Sequence, residues 1–168
     1  MHQTRTKASK RGFTLIEVLI VIGIIAILAA IVLVAVNPGK NFREAANTQR
    51  TANVASLINA ISQYTVDNKG VMPPGLTSDF ASKELGNVTG GMTDFDDFCA
   101  ALVPEFIGAL PADPSVPDQT ITEAECATND KTLGYEIAVS NGHVTIVAPD
   151  TVDTETGASA SEKISVTR

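Results

Sequence analysis

Tryptophan is absent, and aromatic residues make up only 5% of the chain. That argues against a large aromatic core and against a base-stacking surface. The 168 residues include only two histidines and two cysteines. His2 and His143 have no nucleophile or metal-ligand cluster near them in sequence, so His143 reads as a turn histidine. No Gly-rich phosphate loop, His-based metal motif or nucleophile elbow occurs. Charge is also scarce, at 18% against about 25% in an ordinary soluble domain. What is plentiful is apolar: 44% of residues are hydrophobic and the mean hydropathy is +0.15. Whole-chain disorder is thereby excluded. At about 150 residues per domain, the length allows one domain plus an appendage.

The net charge of −7 is unevenly spread. Residues 1–12 carry Arg5, Lys7, Lys10 and Arg11 and no acid, whereas all 19 acids follow them. Beyond residue 12 the chain is strongly acidic, which disfavours nucleic-acid binding by a broad basic face. Next comes an apolar block at residues 13–36 in which Glu17 is the sole charge. A stretch of about 20 apolar residues crosses the hydrocarbon core. A cleaved secretory signal has an apolar region of only about 7–15 residues, so this block is too long for one. A basic start before an apolar span fits a membrane anchor oriented by the positive-inside rule.

Asn37-Pro38-Gly39 interrupts the block, and the proline predicts a kink or break there. A second helical pattern follows, with Val54, Leu57, Ile58, Ile61 and Tyr64 or Thr65 on one face. Arg50, Asn53, Asn59, Ser62 and Gln63 fall mostly on the others. Asn68-Lys69-Gly70 reads as its C-cap. Taken as one helix, residues 13–68 would extend about 84 Å. The first half is apolar all round and the second is amphipathic, so the second half needs a partner layer. Residues 71–134 hold most of the eight prolines and read as irregular, apart from a short helix near residues 94–102. Alternation at 135–139 and 144–147 about Asn141-Gly142 predicts a hairpin. Residues 151–161 read as an exposed loop, and 163–167 as a third strand. The expected fold is α+β: a long N-terminal helix, packed in its second half by a small C-terminal antiparallel sheet head.

Glu17 is the first clue to function. A carboxylate in a spanning helix costs about 2.5–3.5 kcal/mol near the bilayer centre, so it is usually paired. If the chain were cut after Gly12, Phe13 would present a free amine about one helical turn, or 6 Å, from Glu17. A buried amine and carboxylate would compensate each other, within a chain or between neighbours. The segment Lys10-Arg11-Gly12-Phe13-Thr14-Leu15-Ile16-Glu17, with the apolar helix after it, resembles the processing site of the bacterial type IV pilin and pseudopilin family. The resemblance is most specific over residues 10–36, extends in architecture to Gly70, and in the head is one of layout.

The resemblance implies that a prepilin peptidase cuts between Gly12 and Phe13 and N-methylates Phe13. It also implies that Glu17 pairs with a neighbouring subunit's N-terminal amine during assembly. Subunits would wait in the inner membrane, surrounded by lipid, and then be polymerised with copies of themselves by the inner-membrane assembly machinery into a surface filament. The divisions expected are a removable leader at 1–12, a membrane and filament-core helix at 13–36, an amphipathic helix at 37–70 and a head at 71–168. Many relatives have a proline inside the apolar stretch. Here Gly23 is the sole breaker within it, and Pro38 follows it, so any extension of the helix is expected at 37–39.

Cys99 and Cys126 could be inert core thiols. An exported head meets an oxidising space, which favours a bridge between them. Pilins of this type often tie the C-terminal region in that way. Asp94, Asp96, Asp97, Asp113 and Asp118 could offer oxygens to calcium, as in some pseudopilin heads, but their spacing lacks an ordered ligand loop. They read as solvated acids, and no metal is expected. Asn87-Val88-Thr89 is a lone glycosylation sequon and carries little weight. The expectation is a structural filament subunit with no catalytic residues, no cofactor and no direct nucleic-acid site. The alternatives are a type II secretion pseudopilin and an uncleaved, membrane-anchored binding protein.

Overall fold

The structure, a computed structural model, describes residues 12–116, 120–127, 131–154, 156–160 and 162–168. Residues 1–11 of the expected leader, and Asp118, lie outside them. The chain divides into two compact units, one ending at Pro38 and the other comprising Gly39–Arg168.

The first unit is helix α1, Leu15–Val36. Thr14 is its N-cap, in extended backbone, and the Thr14 hydroxyl accepts the Glu17 amide at 3.3 Å. This satisfies one of the orphan donors of the first turn. Asn37 ends α1 in the left-handed conformation, with φ 41°, which Asn tolerates better than most residues. Helix α2, Pro38–Asp67, starts on the proline, whose missing amide costs nothing in a first turn. The chain therefore does not run as one helix over 13–68; it breaks where Pro38 predicted.

In the second unit, α2 packs with a four-stranded antiparallel sheet in the order β1-β2-β3-β4. The strands are β1, Phe80–Asn87; β2, Lys131–Ser140; β3, His143–Ala148; and β4, Ile164–Thr167. Helix α3, Phe95–Leu102, lies between β1 and β2 in the chain. The β2–β3 hairpin turns at Asn141 and Gly142, both with positive φ, as a two-residue turn of this composition requires. Alternate β2 residues Leu133, Tyr135, Ile137 and Val139 are buried. With Val144, Ile146 and Ala148 of β3 they form one core with Val54, Leu57, Ile58 and Ile61 of α2 and Phe95, Phe98 and Leu102 of α3. The amphipathic face of α2 thus finds the partner layer it needs.

Four readings are corrected. Residues 71–134 are not wholly irregular, since they contain β1. Its burial does not alternate, and its pairing with β2 shifts register twice, which erases the period-2 signal. Gly86 permits that pairing: a Cβ there would lie 2.5 Å from the Lys131 carbonyl oxygen. Arg50 and Asn53 are buried, not on an outer face, and Asp113 is buried, not solvated. Finally, the 151–161 loop is not simply exposed. Thr151 is buried, and the loop folds on itself through a bridge between Val152 and Ser159.

Candidate functional site

The N-terminal unit gathers three of the residues singled out above. Gly12 and Phe13 lie in exposed, non-helical backbone directly before the Thr14 cap. Phe13 is 83% exposed. A peptide bond in that state can enter a protease cleft without unwinding a helix. Glu17 sits in the first turn of α1, where a carboxylate complements the helix dipole. Its carboxylate makes no hydrogen bond or ion pair among the described residues, so it remains open to an incoming cation. Phe13, Glu17, Val18 and Val21 line one shallow concavity. Cleavage after Gly12 would create an ammonium group at the end of the segment that carries this carboxylate.

The rest of α1 is a surface that water does not suit. Leu15–Leu33 is 19 residues long with a mean hydropathy of 3.2, and none of it is buried. At 1.5 Å per residue that is about 28 Å, close to the thickness of a bilayer core. The apolar side chains of Leu15–Leu33 are exposed on every side, and the span is long and apolar enough to cross a membrane.

Cys99 and Cys126, both buried, are joined with an S–S distance of 2.02 Å and Cα atoms 5.4 Å apart. The bond ties α3 to the 3₁₀ turn at Glu123–Glu125. Nearby, the Lys131 ammonium hydrogen-bonds Glu125, and with the Thr122 amide and hydroxyl it holds the Glu125 carboxyl at a pKa of about 2. Asp96 accepts from Asn87 at 2.6 Å, so the sequon asparagine is already engaged. Asp113 accepts the Arg50 guanidinium at 2.7 and 2.9 Å. Among the described residues no group of three or more His, Cys, Asp or Glu side chains is placed to hold a metal ion. His143 opens β3 in an exposed position.

Arg50, Asp113, Asn53 and Tyr135 form a buried polar network that positional reasoning missed. Asn53 donates to the Ala112 carbonyl at 2.8 Å and to the Tyr135 hydroxyl at 2.9 Å. Burial pushes the Asp113 pKa up, but hydrogen bonds from Arg50 and Ser115, with the Arg50 charge, outweigh it and hold the group below its ordinary value. Burial raises the Tyr135 hydroxyl to about 12 despite the Asn53 bond. The network pins the loop around residues 111–116 to α2 and β2. Its signal in sequence was weak, since its hydrogen-bonded partners lie up to 82 residues apart. Thr14 was the more legible omission. Thr14-Leu15-Ile16-Glu17 before an apolar run is the capping pattern of a helix start.

Residues 7–33 match the prokaryotic N-terminal methylation motif, the class III signal peptide of type IV pilins and pseudopilins. The match includes Gly12, Phe13 and Glu17. No curated protein and no solved structure matches the chain.

Proposed function

We propose, starting from the methylation motif at residues 7–33, that this chain is the structural subunit of a type IV pilus or pilus-like filament. One observation carries the reading: the motif opens a helix that is apolar on every side, bears a single carboxylate, and is preceded by exposed, non-helical backbone. Prepilin peptidase cuts between Gly12 and Phe13 and methylates the new Phe13 amine. In the inner membrane, lipid covers α1. In the filament, the α1 helices of neighbouring subunits replace lipid, so the transfer exchanges one apolar medium for another. The Phe13 amine of an entering subunit pairs with the Glu17 carboxylate of its neighbour, because two charges in an apolar core are tolerated only as a pair. The chemistry is non-covalent polymerisation after processing. The head supplies the surface, and its acidic balance keeps that surface soluble.

Intact-mass measurement on sheared surface fibres tests the proposal. A chain beginning at Phe13 with one added methyl group is the expected result. A chain beginning at Met1 would replace the filament reading with an anchored binding protein. A processed chain that never appears in surface fibres, in cells that secrete through a type II system, would assign it as a pseudopilin.

A further inference from the structure

We infer that the loop at residues 151–160 is a polar fastener that holds the first turns of α2 to the head and can release them without unfolding the core. The inference goes beyond the proposed assembly role and does not depend on it. It starts from the burial pattern of α2. None of residues 39–49 is buried, whereas Arg50, Asn53, Val54, Leu57, Ile58, Ala60 and Ile61 are. The first three turns of α2 therefore lack the apolar anchorage that keeps the rest of the helix in place.

What they have instead is the loop between β3 and β4. Arg43 donates twice to the Thr154 carbonyl, from Nε at 3.0 Å and Nη2 at 2.8 Å. Asn47 meets Val152 from both sides: Nδ2 donates to the Val152 carbonyl at 2.7 Å, and Oδ1 accepts its amide at 3.3 Å. The same Oδ1 accepts from Arg50 Nη1 at 3.0 Å, which links the fastener to the buried network. The partners are 105 to 111 residues apart in sequence.

The loop is built to present those carbonyls. Asp153 N donates to the Ala158 carbonyl at 2.8 Å, and Ala160 N to that of Thr151 at 3.0 Å. The Asp153 carboxylate accepts the Thr156 amide at 2.7 Å. Gly157 turns the chain at φ 74°, with the Arg43 Cδ 3.4 Å from where a Cβ would sit. Thr151 roots the loop in the sheet: its hydroxyl donates to the Ala148 carbonyl at 2.8 Å and accepts the Ile164 amide at 3.2 Å. The bonds from Arg43 and Asn47 to the loop described above are directed at backbone groups. Each contributes little alone, and all are lost together when the loop lifts. Opening is therefore confined to residues 39–49 and 151–160.

Hydrogen exchange on the full chain in detergent micelles tests this from both sides. Asn47→Ala removes both Val152 contacts yet raises intrinsic helix propensity. Simple fraying predicts slower exchange at amides 43–49, whereas the fastener predicts exchange about tenfold faster, together with faster exchange at Asp153 and Ala160. Gly157→Val strains the loop at its left-handed turn and sets a side chain against Arg43, and should reproduce the loss at amides 43–49. In both variants amides 54–61 should keep their parent protection. Unchanged or slower exchange at 43–49, an unchanged loop in Asn47→Ala, or matching losses at 54–61 would each overturn the inference.

Discussion

Asp113→Ala should be among the most damaging single changes in the head. In the parent, Asp113 is 1% exposed and Arg50 is 4% exposed, and the two meet through two hydrogen bonds. Removing the carboxylate leaves the guanidinium buried, with only its Asn47 bond, and frees the Ser115 amide, while the Ser115 hydroxyl keeps only its Asp150 bond. Breaking one side of a buried pair costs about 3–5 kcal/mol. The unit Gly39–Arg168 has 130 residues. At an unfolding entropy of about 2.1 cal/mol/K per residue, the loss lowers the melting temperature by roughly 11–18 °C. Thermal unfolding of the full chain in micelles, followed by circular dichroism, measures it. Replacing both partners, with Arg50→Met and Asp113→Leu together, should recover most of the loss, because no charge is then left unpaired. The pH dependence has a definite sign. A carboxyl whose native pKa is depressed stabilises fully above its unfolded value, near 3.8, and loses that contribution as pH falls through the native value. The double variant should therefore lose less stability than the parent below about pH 3.8. A cost under about 1 kcal/mol for Asp113→Ala, or a double variant no better than the single, would refute the reasoning.

Glu17→Ala should leave membrane insertion intact, since losing a charge makes α1 more apolar, but should abolish or greatly reduce filament growth. Membrane fractionation beside counts of surface fibres checks this, and normal fibres from the variant as sole subunit would remove Glu17 from assembly. Replacing Cys99 with Ser, under conditions that keep Cys126 reduced, opens a loop whose ends are 27 positions apart. The chain-entropy relation puts the loss at about 3.6 kcal/mol; calorimetry on the full chain measures it, and an unchanged melting temperature would show that the bond constrains little.

The local signals proved to be the dependable ones. Residues 13–36 announced an apolar helix by composition alone, Pro38 announced its end, and Asn141-Gly142 announced the hairpin, because each depends on neighbours within a turn or two. The methylation motif at residues 7–33 is legible for the same reason: Gly12, Phe13 and Glu17 within it lie within six residues of one another. The short helix at Phe95–Leu102 was also visible, since Phe95, Phe98 and Leu102 repeat within three turns.

Tertiary structure decided everything that depended on a distant partner. Arg50 and Asn53 looked outward by helical position, yet they are buried because Asp113, Ala112 and Tyr135 satisfy them; burial of a polar group depends on its partner and not on its own character. Strand β1 has no alternation, and it is a strand only because β2 pairs with it across two register shifts. The 151–160 loop reads as solvent-facing from its Thr, Ser and Asp content. It closes onto α2 through backbone carbonyls, which every residue carries and no side-chain pattern reveals.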